Sequence, residues 1–268
     1  MSNKISYRVT GLLAEGGMAQ LFNIVCSDGR RAVLRQLHGR YVWRLKPRRR
    51  FVNGLQLRAE LSPHERIAST LEFGSRWLKP YEIIELVEGV NLKVLINQRN
   101  EALRMHCDEI LLGAAKALAY MHQKKLLHLD VKPENFLVDC RDRFNPLVKL
   151  TDFDLACTLE QGRSSRPSGT PAYMAPEQFN LKLSLRASDV FAFGVMAYHA
   201  YSGRFPFSGN SELQTMRNQA DENVRPRPIG EYCPELSPRM ERVIMRCLAK
   251  RVQERYPDMS ACLNDMSS

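Results

Sequence analysis

No stretch of this 268-residue chain stays apolar for the length that a membrane span needs, and the polar start MSNKISYR does not read as a signal peptide. Its seven cysteines (Cys26, Cys107, Cys140, Cys157, Cys233, Cys247, Cys262) form no CxxC pair and no Cys/His metal spacing. That argues against a disulfide framework or a zinc site and predicts reduced thiols in a cytoplasmic setting, including the cytosolic part of a longer protein. Internal repeats and low-complexity tails are also missing, and charged residues, at 25%, are no more frequent than in an ordinary globular protein. What is present is 44% hydrophobic residues, enough for a sizeable core in one large domain or two lobes. Lys and Arg outnumber Asp and Glu by 39 to 29, so acidic partners or polyphosphate ligands are favoured at low salt.

The densest chemistry lies between His128 and Asp154, reading HLDVKPENFLVD, a short variable insert, then VKLTDFD. Apolar runs that look like short buried strands place Asp130, Lys132, Asn135 and Asp152 within one hairpin's reach of each other. The set suits a nucleotide phosphate: one carboxylate can hold a hydroxyl nucleophile, the lysine can neutralise transferred charge, and Asn with the second Asp can hold magnesium through oxygen.

Towards the N-terminus, Tyr7 to Arg35 is strand-like and broken by turns. Gly16 and Gly17 would let backbone amides approach an anion, although a plain hairpin explains two glycines equally well. Residues 40–50, RYVWRLKPRRR, interleave six basic residues with Tyr41 and Trp43. They read as a solvated approach to the next helix or as a surface for an acidic partner, with nucleic acid a distant third. FVNGLQLRAEL (51–61) has a helical pattern, PYEIIELVEGVNL (80–92) reads as a strand leaving into a polar turn, and 92–98 looks like a short helix. Asp108 to Gln123 predicts a helix with an acidic start. Gln161 to Gly169 predicts a mobile surface loop in which Ser164, Ser165 and Ser168 are candidate phosphorylation sites.

Taken together, from about Tyr7 to Met266, these motifs resemble a eukaryotic-like (Hanks-type) serine/threonine protein kinase domain of the kind found in bacteria. The resemblance implies an α+β, bilobal fold: a small β-rich lobe (1–87), joined at a hinge to a mostly helical lobe (88–268). It implies ATP and Mg2+, and a protein substrate with a Ser or Thr acceptor, which the forms KPEN and GTPAYMAPEQ favour over tyrosine. Asp130 would take or orient the substrate's proton, Lys132 would contact the γ-phosphate, Thr170 would bond near both, and Asn135 and Asp152 would hold magnesium. Gly16, Gly17, Leu21, Val33, Arg35, Leu137 and the backbone of Glu85 and Val87 would line the nucleotide, with Ile84 behind it. Asp189 would tie down the catalytic-loop backbone, and Arg255 would pair with Glu177.

The departures from the family pattern fall in one neighbourhood. Arg35 replaces the phosphate-binding lysine, Val33 a small alanine, Gly54 the helix glutamate and Asp154 the glycine after Phe153; Leu129 replaces an arginine that binds a phosphorylated loop. Arginine keeps the charge and can grip phosphate through two N–H groups. Asp154 is expected to act as the replacement partner of Arg35 or as an extra metal ligand. Two functions follow: a kinase, of reduced or atypical activity, or a pseudokinase that serves as a nucleotide-binding or scaffold module.

Overall fold

The computed structural model describes residues 4–142, 144–164 and 168–268. The chain packs as two compact units, one of Met1–Glu88 with Thr151–Asp154, the other of Gly89–Leu150 with Leu155–Ser268.

The first unit is an antiparallel sheet with one long helix. Strands β1 (Tyr7–Glu15), β2 (Ala19–Cys26), β3 (Arg31–Leu37), β4 (Thr70–Arg76) and β5 (Lys79–Glu85) run in the order β1-β2-β3-β5-β4. Alternation sends Ile24, Cys26, Ala32, Leu34, Tyr81 and Ile83 into one cluster. Ala19 and Leu37 meet Phe51 and Leu55 of helix α1 (Leu45–Leu61) in another. Helix α1 begins six residues before the expected Phe51, so most of the basic run is part of the helix rather than an approach to it. Pro47 does not prevent this, because the first turn of a helix has no need of its N–H.

The second unit is mostly helical. Short β6 (Val90–Asn91) leads into α2 (Leu92–Asn97), and α3 (Glu101–Gln123) follows. Helix α3 starts at Glu101 instead of Asp108 because the Asn100 side chain accepts the Ala102 N–H as its cap, and it carries a local break at His106. Then come β7 (Leu126–Leu127), the hairpin β8 (Phe136–Asp139) and β9 (Leu147–Leu150), and β10 (Cys157–Thr158), which pairs with β7. Helices α4 (Leu159–Ser164), α5 (Pro176–Asn180), α6 (Arg186–Ser202), α7 (Glu212–Ala220), α8 (Pro238–Cys247) and α9 (Met259–Ser267) complete it. Helix α6 is apolar almost all round and buried from Ala187 to Ala200, as a core helix must be.

The loop expected at 161–169 is helical in its first part: Gln161–Ser164 belongs to α4, and Gly162 is buried where a Cβ would strike the Leu127 side chain. Ser168 is half-buried, and Ser165 lies outside the described residues. Among the described residues, no helix is long and apolar enough to cross a membrane.

Candidate active site

In the second unit the loop between β7 and β8 gathers Asp130, Lys132 and Asn135, and the segment before α5 brings Thr170 to them. Lys132 Nζ lies 2.6 Å from Asp130 Oδ2 and donates to Thr170 Oγ1 at 3.0 Å. The Thr170 hydroxyl donates to Asp130 Oδ1 at 2.8 Å, and its backbone N–H reaches the same oxygen at 3.2 Å. Asn135 is buried and donates its amide to Asp130 O at 2.7 Å and Oδ2 at 3.2 Å, so its own side-chain oxygen is the group left to ligate a cation. Gly169 makes this closure sterically allowed: at φ 156° a Cβ would sit 2.8 Å from Leu129 O.

The loop backbone is held in a conformation it would not choose. Leu129 has φ 62°, a left-handed value that costs a residue with a Cβ roughly 1–2 kcal/mol. Asp189 offsets that cost by accepting the N–H groups of His128 at 2.8 Å and Leu129 at 2.9 Å. His122 completes the arrangement. Its Nδ1 accepts the Met259 N–H, which assigns the ring proton to Nε2, 3.1 Å from Asp189 Oδ2. Further along, Arg255 grips Glu177 with two N–H groups, at 2.9 and 2.5 Å, both side chains being buried.

In the first unit Arg35 sits at the centre of a buried charge cluster. Its Nη1 donates to Glu82 Oε1 at 3.0 Å and its Nη2 to Asp154 Oδ2, with Asp152 Oδ1 at 3.8 Å. Its guanidinium also lies 4.5 Å from the centre of the Phe51 ring. Burial opposes the charge on Arg35, but Asp154, Glu82 and Asp152 outweigh it and hold its pKa above the usual arginine value. A second arginine, Arg58 on α1, stands 3.1 Å from Glu82 Oε1, bonds Thr151 Oγ1 and covers the Phe153 ring. Burial lowers its pKa, with Glu82 opposing and Arg35 adding to the shift.

Gly54 explains how Asp154 fits. A Cβ at Gly54 would lie 2.8 Å from Phe153 O and 2.9 Å from Asp154 Oδ1. A side chain at position 54 would therefore meet the Phe153 carbonyl and crowd the Asp154 carboxylate, so the two departures from the family pattern meet in one place. Of the two expectations for Asp154, the partner of Arg35 is the arrangement observed, and Asp154 is buried. Both terminal nitrogens of Arg35 already face carboxylates, so any phosphate would share the guanidinium with Glu82 and Asp154.

The other candidates are distributed between the units. Gly16, Gly17, Leu21, Val33, Arg35, Glu85, Val87 and Asp152 belong to the first, and Asp130, Lys132, Asn135, Leu137 and Thr170 to the second. Gly16 uses its N–H to close the β1–β2 turn onto Ala19 O, and the His38 ring holds its carbonyl at 2.8 Å. Val33 and Ile84 are buried and paired across β3 and β5, while Leu21 stands opposite Arg35 across β2 and β3. Glu85 pairs with Ser69 through backbone and side chain, Val87 is half-buried, and Leu137 pairs with Lys149 in the β8–β9 hairpin. Asp152 is a half-exposed carboxylate at φ 57°.

Sequence reasoning missed Glu82, Arg58, His122 and His38. Two of these carried a legible signal. Glu82 is an acid between Tyr81 and Ile83 in a buried strand, and Arg58 falls on the apolar stripe of α1, four residues after Gly54. Among the described residues, no cluster of three or more His, Cys, Asp or Glu side chains suits a metal. Magnesium asks for less, since it is commonly held by one or two carboxylates with waters and substrate phosphates. The Asn135 oxygen in the second unit and the half-exposed Asp152 carboxylate in the first are each oxygen donors of that kind.

Comparison with known proteins agrees with this architecture. A family model described as protein kinase domain matches residues 7–265. The chain is 31% identical to serine/threonine-protein kinase Pkn1 of Myxococcus xanthus over 97% of its own length and 37% of that protein. It is 30% identical to serine/threonine-protein kinase PknA of Mycobacterium tuberculosis, over 93% of its own length and 58% of that protein. The chain thus spans less than two thirds of these relatives.

Proposed function

The chain belongs to the protein kinase domain family, and from that premise we propose that it transfers the γ-phosphoryl group of ATP to a serine or threonine hydroxyl of a protein, in the cytoplasm. The observation that carries this reading is the closed set of Asp130, Lys132, Thr170 and Asn135. The substrate hydroxyl gives its proton to Asp130 as its oxygen bonds to phosphorus, and the bond from phosphorus to the ADP oxygen breaks. Lys132 faces the charge that spreads over the transferred group, and Thr170 holds both side chains in register, so positioning and electrostatics supply most of the rate. Asn135 and Asp152 are the residues that would hold magnesium, which neutralises phosphate charge when bound.

A second reading, a nucleotide-binding or scaffold module without transfer, is favoured by one observation: Arg35 is already neutralised by Glu82 and Asp154. One experiment separates the two. Magnesium-dependent transfer of labelled phosphate and nucleotide-induced thermal shift are measured on this chain beside Asp130→Asn and Arg35→Lys. Transfer that falls at least about 1000-fold in Asp130→Asn supports the kinase. A thermal shift with no transfer by the unmodified chain, even with candidate partner proteins, supports the module.

A further inference from the structure

We propose that a face of the first unit carrying Trp43, Leu45, Trp77 and Leu78 docks this chain onto an anionic phospholipid bilayer. The inference goes beyond the kinase reading and does not rest on it. The chain has two tryptophans, and they are 81% and 90% exposed, with Leu45 at 84% and Leu78 at 57%. Tryptophan is usually well buried, so both standing in water calls for a partner. The two sites repeat one composition, WRLK at 43–46 and RWLK at 76–79. They also lie side by side: Arg48 Nη1 donates to Leu78 O at 2.6 Å and Val42 O at 3.4 Å, and the Lys79 ammonium lies 3.7 Å from where a Cβ on Gly39 would sit.

Helix electrostatics give no reason for this charge. Lys46, Arg48, Arg49 and Arg50 occupy the first turns of α1, the end that the helix dipole already makes positive, and Arg44 supplies no side-chain cap. No acidic residue occurs between Asp28 and Glu60 to compensate. Trp77 and Leu78 form the two-residue turn between β4 and β5, at φ 50° and 64°, which sets them at the tip of a hairpin. Trp43 and Leu45 stand at the entry to α1. An indole beside a leucine, flanked by Arg and Lys, matches a lipid headgroup boundary: the rings sit at headgroup depth, the leucines reach the acyl region and the cations meet phosphates. A nucleic acid would reward the indoles and the cations but not the leucines, and an acidic peptide would reward the cations alone.

The test uses the full chain and vesicles of phosphatidylcholine with or without phosphatidylserine, and the two tryptophans serve as reporters. Sedimentation with the anionic vesicles, a blue shift of the emission and quenching by brominated acyl chains are expected, all weakening as salt is raised. Trp43→Ala and Trp77→Ala should each weaken partition about tenfold, whereas Phe144→Ala, at an equally exposed ring in the second unit, should not change it. Failure to bind anionic vesicles, absence of quenching by brominated chains, or unchanged binding by the double tryptophan variant overturns the proposal. Tighter binding to polyglutamate or to an oligonucleotide than to the vesicles also overturns it and assigns the face to that partner instead.

Discussion

Arg35 shows how far one substitution can reorganise its surroundings. A lysine carries one compact charge, whereas the arginine fork presents two edges, and here one is filled by Glu82 and the other by Asp154. Because Asp154 and a side chain at position 54 compete for the same space, their effects must be coupled. We expect Gly54→Glu and Asp154→Gly each to cost roughly 3 kcal/mol in urea denaturation, the first by overpacking and the second by leaving buried charge less well paired. The double variant should lose at least about 1 kcal/mol less than the sum. Strict additivity would break the link between the two positions. His199 offers a separate test. Burial, with Lys93 adding to it, pushes this histidine down to about 4 from 6.5. Between those values the unfolded chain binds the proton and the folded one does not, so stability should fall as pH drops from 6.5 towards 4. His199→Phe should flatten that part of a pH–stability curve.

At the scale of elements, periodicity located the strands before Arg35, the strand at 80–85 and the helices at 51–61, 92–98 and 108–123, and tertiary context moved several of their ends. Helix α1 extends over residues that look like an approach, α3 is lengthened by the Asn100 cap, and the supposed loop at Gln161 continues α4. Each of these ends depends on a partner distant in space or on a cap that competes with other turn chemistry, and periodicity carries no information on either. The long-range ties were more legible, because Asp189, Glu177 and Arg255 stand in motifs of fixed order. Arg255 has a fully buried side chain and bonds Glu177 and the carbonyls of Ala187, Ala249 and Lys250, so it joins α5, α6 and the segment after α8. Arg255→Ala should cost about 3–5 kcal/mol, since it strands a buried carboxylate. A loss below about 1 kcal/mol in thermal or urea unfolding would show that these elements hold together without it.

For the whole molecule, the scattered cysteines predicted reduced thiols, and all seven are free in the structure. Cys140 and Cys157 are half-buried, whereas the other five are buried, and burial pushes the pKa of both upward. A thiol reagent should therefore reach at most these two in the native chain, slowly, and all seven once urea unfolds it. Rapid native modification of Cys247 or Cys262, whose sulfurs lie 3.6 Å apart in the interior, would contradict the packing of α8 against α9.

The sequence by itself pointed to the family and the α+β class, both of which hold, and singled out Asp130, Lys132, Asn135, Asp152 and Thr170 as the candidate polar groups. It could do so because phosphoryl transfer demands particular side chains at short, fixed spacings along the chain. The partners of Arg35 were decided only in three dimensions. Glu82 reaches it through cross-strand register, Arg58 shares Glu82 from the face of α1, and Asp154 enters because Gly54 leaves room. A buried charge is settled by whatever packing brings beside it, and packing joins residues that the sequence keeps far apart.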